Sequence, residues 1–553
     1  MNRLAERPLL SISLLAALCL YLFCFRLGSF ALTDPDETFY AQTAKEMVER
    51  GEWSTPFLYG KPQFEKPILI YWLIEAAFKA FGVNEAAARL PSAVFALLGV
   101  IALYLLGARL FNRRVGLFSA LALATCVEYI ILSRAVITDM VLAVLMLFGA
   151  LFFFYAYPDG KKHFYYLSAA AFGLAVLTKG PVALVLPAFI FLAYFACVRD
   201  WQFFRKVPLI GMALTFLAVS APWYIVIWKL HGMEFVSAFL GFQNVTRFLV
   251  SEHKIGSQWY YNIPIVFGGF FPWSAFLPFG FWHVGKKVFA KDGADRKSSL
   301  FVFLWFMAIF LFFSVSSTKL PTYIFPSFMS LALIVGVLWD DLLKDATSVA
   351  LARGVRWSHH LLMAVVAGGG IGIFIFLKRR YPLLLDDVLI PALFLIFGFI
   401  LSAVELGRRR FNAAFALIVY AVALFLYPFG VLALPALEPY ETSKDIARKL
   451  ATMMKPGERA GAEKDYVAGV TFYTGRFAED VDRHHLLVRF LDSGERVWVV
   501  LKEKNHRQLY ELDHKPYYTK PSYVVYKYGK KCLVTNKVPE DGRYLRKRDR
   551  TSY

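Results

Sequence analysis

Long apolar runs separated by short polar stretches dominate the chain from Leu9 to Leu434 and then stop. Most runs are about 17 to 24 residues long, close to the roughly 20 that an α-helix needs to cross a hydrocarbon layer about 30 Å thick. The pattern predicts about 13 transmembrane helices, at 9–25, 90–110, 115–132, 135–157, 164–178, 181–198, 207–228, 263–284, 300–317, 320–338, 361–377, 388–404 and 411–434. A further stretch, Ile68 to Phe81, is short and carries Glu75 and Lys79, which predicts a helix lying in the interface. The run from Leu9 to Phe25 follows Arg3 and Arg7 without a convincing small-residue cleavage site after it, so it is read as the first anchor and not as a signal peptide.

Loop charge orients these helices. With Ile68–Phe81 left uncounted, five basic clusters fall on the cytoplasmic side: Arg109/Arg113/Arg114, Lys161/Lys162, Arg199/Arg205/Lys206, Lys286/Lys287/Lys291/Arg296/Lys297 and Arg408/Arg409/Arg410. That is where Lys and Arg accumulate in membrane proteins. Lys378/Arg379/Arg380 is the exception. The N-terminus is then inside and the C-terminus outside, and the outer face carries loops 26–89 and 229–262. The chain divides into a membrane domain, 1–434, and a soluble outer domain, 435–553. The latter reads as a small α/β fold: a helix over Ser443–Met454 stopped by Pro456-Gly457, then strands at Tyr466–Tyr473, Val497–Leu501 and Tyr523–Tyr528.

Composition agrees with a membrane solvent. Hydrophobic residues make up 58% and mean hydropathy is +0.50, too apolar for one soluble core of ordinary size. The 61 Lys+Arg against 41 Asp+Glu give a net charge of +20, which in a soluble protein would suggest nucleic acid. Here the positive charges lie mainly between the apolar runs and the phenylalanines within them, so no nucleic-acid partner is expected. Cys19, Cys24, Cys126 and Cys197 fall in apolar runs and leave Cys532 alone in the tail, so no disulfide framework is implied.

Candidate chemistry gathers on the outer face. The first loop opens with Thr33-Asp34-Pro35-Asp36-Glu37, where Asp34 has the place of an N-cap, Pro35 of N1 and Glu37 of N3, in front of a helix reaching Arg50 and stopped by Gly51. Phe39, Tyr40, Thr43 and Met47 share one face, predicted to lie against the membrane surface. One carboxylate suffices as a cap. The surplus makes Asp36, and after it Glu37, candidates for acceptor activation or metal binding, although carboxylates also simply complement a helix dipole. In Gly60-Lys61-Pro62-Gln63-Phe64-Glu65-Lys66-Pro67 two prolines stiffen a turn, and the adjacent Glu65 and Lys66 point in opposite directions if the segment is extended.

Lys179 and Lys319 lie in very short outer hairpins. The positive-inside bias disfavours lysine there, and a lipid-linked phosphate would supply a reason for it; snorkelling to phospholipid headgroups is the plainer one. Asp139 opens the fourth span beside Arg134, where an ionisable group is costly unless paired or wet, and Arg134 is the obvious partner. In the second outer loop Asn244, Arg247 and His253 precede Tyr260-Tyr261, a mixture suited to phosphate and sugar contacts, with His253 a possible metal ligand. No GxGxxG, P-loop, CxxC, HExxH or nucleophile elbow stands in a suitable context. A lipid transporter or flippase is the reading from another class, but transporter sites lie near the midplane between repeated halves, and no repeat is present here.

The order Asp34-Pro35-Asp36-Glu37, Phe64-Glu65-Lys66-Pro67, Arg89-Leu90-Pro91-Ser92, Leu177-Thr178-Lys179-Gly180-Pro181, Phe271-Pro272-Trp273-Ser274 and Lys319-Leu320-Pro321-Thr322-Tyr323 resembles the GT-C membrane glycosyltransferases. Within them it is most similar to the undecaprenyl-phosphate aminoarabinose:lipid A transferases, with the protein O-mannosyltransferases more distant. The likeness covers the chain to about residue 330. It implies a GT-C fold and a bacterial inner-membrane enzyme whose active site and C-terminal α/β domain are periplasmic. It also implies an undecaprenyl phosphate-linked donor of 4-amino-4-deoxy-L-arabinose, a lipid A phosphate acceptor, and resistance to cationic peptides such as polymyxin.

On this resemblance Asp36, Glu37 and Asp139 are the expected catalytic residues. Lys66, Lys179, Arg247, Lys319 and Tyr323 would hold the donor phosphate, and Tyr40, Tyr260 and Tyr261 the substrates. Glu65 and His253 would hold a divalent metal ion, if one is used, and Asp139 would suit the cationic amine of an aminosugar. Transfer of a hexose such as mannose to protein Ser/Thr or another envelope glycan is the alternative within the same superfamily.

Overall fold

The computed structural model describes residues 6–157, 159–202, 207–239, 241, 258–290, 293, 295–381, 384–511, 518, 520–539 and 544–545. All thirteen apolar runs fall on helical backbone. Among the described residues, eight helices are long and apolar enough to cross a membrane, or up to ten if two bent pairs each count as one span. The difference from thirteen has local causes. The first anchor and Val182–Val198 are shorter apolar helices, and Lys162–Lys179 begins with Lys-His and ends with Thr-Lys.

The chain forms two compact units: Met1–Leu27, Phe64–Leu73 and Arg89–Leu432 make one, and Gly28–Gln63, Ile74–Ala88 and Ala433–Tyr553 the other. In the first, small residues allow close helix packing. A Cβ on Gly116 would strike the Tyr104 carbonyl, and one on Gly336 would strike Ser119. The bent pairs are Arg113–Ala124 with Val127–Ser133, at 67°, and Asn262–Gly269 with Trp273–Phe289, at 113°. They meet at their breaks: Val127 N–H donates to the Phe271 carbonyl at 3.0 Å, and Trp273 Nε1 donates to Thr125 Oγ1 at 3.0 Å. The Phe271 carbonyl thereby satisfies a backbone N–H at the start of Val127–Ser133 that has no partner within its own helix.

In the second unit a short hairpin, β1 (Phe57–Leu58) and β2 (Lys61–Pro62), turns at Tyr59-Gly60, both with positive φ, as a two-residue hairpin turn of this kind requires. The Glu46 carboxylate fixes it by accepting the N–H groups of Tyr59 at 2.8 Å and Gly60 at 2.9 Å. The tail carries a five-stranded mixed sheet of β3 (Arg459–Ala462), β4 (Ala478–Asp480), β5 (Val497–Lys502), β6 (Tyr523–Tyr528) and β7 (Lys531–Thr535), in the order β4-β3-β5-β7-β6. β3 is parallel to β4 and β5, while β7 is antiparallel to β5 and β6. Alternate residues of β5 enter opposite cores. Trp498 and Val500 pack with Ile446, Leu450, Val467 and Val470, whereas Val497, Val499 and Leu501 pack with Leu487 and Phe490.

Several expectations are met closely. The helix of the first loop runs Asp36–Arg50 and ends on Gly51 at φ 65, Ile68–Phe81 gives the helix Leu69–Phe81, and the helix expected over Ser443–Met454 runs Lys444–Met453. Three are corrected. Tyr466–Tyr473 is not a strand but the core of a helix, Lys464–Thr474, closed by Gly475 at φ 69. Its β-branched and aromatic residues imitate a strand, yet Tyr466, Val467 and Val470 bury one helical face. Asp34 does not cap the helix at 36–50, which has no side-chain cap; its carboxylate accepts the Thr38 hydroxyl instead, at 3.0 Å. Nor does that helix present one apolar face to a membrane surface. Thr38, Ala41, Gln42, Thr43, Ala44, Glu46 and Met47 are all buried, and Lys45 donates to the Phe472 carbonyl at 3.1 Å.

Candidate functional site

In the first unit the candidate residues converge where three helical segments begin or end. Asp139 is the second residue of Thr138–Ala156, Lys179 is the last of Lys162–Lys179, and Tyr323 lies on the 3-10 turn Pro321–Ser327. Lys179 Nζ stands 2.5 Å from Asp139 Oδ1 and 4.7 Å from the centre of the Tyr323 ring. Asp139 is 3% exposed, so this charge-assisted contact is largely withdrawn from water.

The expected alternative partner of Asp139 is engaged elsewhere. The Arg134 guanidinium donates to the carbonyls of Leu22, Phe23 and Phe25, at 3.1, 3.3 and 2.7 Å. A positive-φ residue at Arg26 and a π-helical turn at Leu20–Cys24 lie next to these carbonyls. Arg134 therefore pins the exit of the first helix and leaves Asp139 to Lys179. Arg89 adds a bond to the Leu27 carbonyl at 3.1 Å.

Lys319 is also buried. Its Nζ donates to the Ser316 carbonyl at 2.7 Å, and burial pushes its pKa below the ordinary lysine range. Lys66 is half-buried and Glu65 exposed. The turn that carries them is fixed by Phe64, whose ring lies 5.0 Å from His231 and 5.5 Å from Phe235 on the helix Leu209–Phe235. Tyr260 is exposed and Tyr261 half-buried. Arg247, Asn244 and His253 lie outside the described residues.

The structure adds a carboxylate that the motif reading passed over. Glu128, on Val127–Ser133, is buried within electrostatic reach of Asp139. Its Oε1 has no hydrogen-bond partner among the described residues, and its Oε2 occupies the space that a side chain on Gly269 would need. The signal was a carboxylate inside an apolar run, which marks function in membrane segments by default.

In the second unit Asp36 is the exposed first residue of its helix, with the positive end of the helix dipole behind it. Glu37 is buried and reaches back, its Oε2 accepting the Thr33 N–H at 2.9 Å and the Thr33 hydroxyl at 3.0 Å. Tyr40 is buried, edge-on to Phe39 with ring centres 5.3 Å apart. Asp34 points inward. Burial pushes its carboxyl up to about 7, against the opposing effects of the neighbouring Ser443, the Thr38 hydroxyl and the charge of Lys531.

Among the described residues no group of three or more His, Cys, Asp or Glu side chains could hold a metal ion. Chemically, then, the described residues offer an exposed carboxylate in one unit. In the other they offer the buried ammonium of Lys319, the half-buried one of Lys179, a phenol and a carboxylate pair, suited to anionic and cationic parts of a polar substrate.

Comparison with known proteins gives these groups a context. The family model of the dolichyl-phosphate-mannose-protein mannosyltransferases matches residues 65–228. Undecaprenyl phosphate-alpha-4-amino-4-deoxy-L-arabinose arabinosyl transferase 1 of Pseudomonas fluorescens is 29% identical over 387 residues, 68% of this chain and 67% of that protein. The second such transferase of the same species is 32% identical over 353 residues, 62% of this chain and 58% of that protein. Among solved structures, ArnT from Cupriavidus metallidurans bound to undecaprenyl phosphate superposes with a TM-score of 0.78 at 24% identity, covering 95% of this chain and 98% of that one. The chain has the GT-C glycosyltransferase fold and is similar, over most of its length, to the undecaprenyl phosphate-aminoarabinose arabinosyl transferases.

Proposed function

We propose that this protein transfers 4-amino-4-deoxy-L-arabinose from undecaprenyl phosphate to a lipid A phosphate at the periplasmic face of the bacterial inner membrane, and so confers resistance to polymyxin and related cationic peptides. In this reading the chain crosses the membrane thirteen times, with a cytoplasmic N-terminus and a periplasmic tail domain. The observation that carries the choice of sugar is the Asp139–Lys179 contact at 2.5 Å. A buried carboxylate already engaged by a primary ammonium is matched to the same group on an aminosugar.

The reaction follows from the chemistry of the two substrates. An oxygen of the acceptor phosphate attacks the anomeric carbon from the face opposite undecaprenyl phosphate. The bond from that carbon to the donor phosphate oxygen breaks through an oxocarbenium-like transition state, and configuration inverts. A phosphate monoester has a second pKa of about 6, so the acceptor is largely ionised at neutral pH and needs no strong base. Asp36 then orients the acceptor or stabilises positive charge developing on the sugar. Lys66, Lys179, Lys319 and Arg247 stabilise the leaving phosphate.

The family model's own description favours a second reading, transfer of a hexose such as mannose to protein or another envelope glycan. With a hydroxyl acceptor Asp36 would have to act as a general base. Purified protein in proteoliposomes, offered undecaprenyl phosphate carrying either aminoarabinose or mannose together with lipid A, separates the two. Transfer of aminoarabinose alone supports the first reading; transfer of mannose alone overturns it.

Glu65 and His253 would hold a divalent ion, if one is used, and that ion would supply positive charge to the donor phosphate. Chelator treatment is expected to lower donor affinity, with Mg²⁺ or Mn²⁺ restoring it. Full donor affinity after exhaustive chelation removes the metal from the account.

A further inference from the structure

We propose that the tail positions Asp36 for catalysis, with Tyr473, Glu438 and the Asp34–Ser443 contact across Gly469 as positioning residues. The claim rests on the function proposed above. The segment leading to Asp36 has its amide groups committed one after another. Ala31 N–H donates to Glu438 Oε1 at 3.2 Å, Leu32 N–H to the Tyr473 hydroxyl at 2.8 Å, and Asp34 N–H to the Glu441 carbonyl at 3.1 Å. Thr33 N–H, between them, is taken by Glu37 at 2.9 Å. Three of these four acceptors come from residues about 400 positions later in the chain.

Side chains complete the clamp. The Asp34 carboxylate and the Ser443 hydroxyl both lie in the space above Gly469, where a Cβ would collide with each. Gly469 is in the middle of Lys464–Thr474, so the missing side chain is what lets that helix approach the loop. The Tyr473 hydroxyl also reaches Glu85 at 3.3 Å, and Glu85 is held by Lys444 at 2.7 Å. The exposed carboxylate of Asp36 thus stands two residues beyond a segment with no slack. Its position is set by the tail, although the tail itself carries no catalytic motif.

Two variants test this, Tyr473→Phe and Gly469→Ala, compared with wild type in the transfer assay and by hydrogen exchange at the amides of residues 31–34. Tyr473→Phe removes one acceptor and no packing volume. It is expected to lower kcat about 10-fold, the factor that about 1.4 kcal/mol represents, with donor KM unchanged and faster exchange at Leu32. Gly469→Ala is expected to lower kcat further and speed exchange across the segment, and Ser443→Gly in that background is expected to recover part of the loss by removing one colliding atom.

Normal kcat in Tyr473→Phe and Gly469→Ala despite faster exchange would overturn the proposal, as would unchanged exchange in both. Equal loss of kcat and donor binding would point to a merely structural role and also overturn it. If the wild type transfers no aminoarabinose, the proposed function fails by itself; the exchange rates then still decide whether the tail holds the segment, and unchanged rates sink the claim.

Discussion

Asp36→Asn is expected to reduce transfer by at least about 100-fold, within the range of about 10² to 10⁴ that a positioned acid–base group contributes, while leaving the protein folded and able to bind undecaprenyl phosphate. Asp36 is the exposed first residue of its helix, so an isosteric amide keeps the backbone, and the loss of its charge weakens a favourable interaction with the helix dipole by about 0.3 to 1 kcal/mol. Burial of Thr43, Ala44 and Met47 holds the rest of the helix in place. Donor affinity, measured with undecaprenyl phosphate in detergent, is therefore expected to match wild type. Loss of donor binding together with transfer would sink the assignment of Asp36 to the acceptor side.

The second large effect is expected at the Asp139–Lys179 pair. Asp139→Ala leaves the Lys179 ammonium in a site where its side chain is 15% exposed, and removing one partner of a buried pair typically costs about 3 to 5 kcal/mol. Thermal unfolding is expected to shift downward and transfer to be lost. Lys179→Ala differs in sign of charge and in consequence. It leaves a buried carboxylate, and it removes a cation from the proposed donor phosphate, a charge-assisted bond worth about 1.5 to 3 kcal/mol. Donor affinity is expected to fall about 10- to 100-fold. If donor affinity is unchanged, Lys179 is a snorkelling lysine tied to a structural aspartate, and its place in the phosphate site is lost.

These expectations trace back unevenly to the sequence. The helix ending at Arg50 could be read because its stop is local: Gly51 takes the left-handed conformation that closes it. Tyr523–Tyr528 could be read from its run of aromatic and β-branched residues, a preference that the sheet around it reinforces. Tyr466–Tyr473 could not, since its aromatic and β-branched residues favour a strand intrinsically and only packing against the tail core selects the helix.

The same limit governs the site. Asp139 and Lys179 were both legible as ionisable residues in costly places, but not as each other's partner, because 40 positions of chain separate them and Arg134 stood nearer in sequence. Asp34 looked like a cap for its own helix; the groups that actually surround it, Ser443 and Gly469, are placed there by the tertiary fold. Glu128 is visible as a carboxylate in an apolar run, yet its nearness to Asp139, on the next helix, is set by the tertiary fold.

The most direct test of the central claim is mass spectrometry of lipid A from a polymyxin-sensitive strain that makes the undecaprenyl phosphate-aminoarabinose donor but lacks its own transferase, expressing either wild type or Asp36→Asn. Aminoarabinose on lipid A with wild type and none with the variant is the predicted result. Unmodified lipid A with wild type, despite confirmed membrane expression and donor supply, would contradict the account and leave the GT-C fold serving another sugar or acceptor.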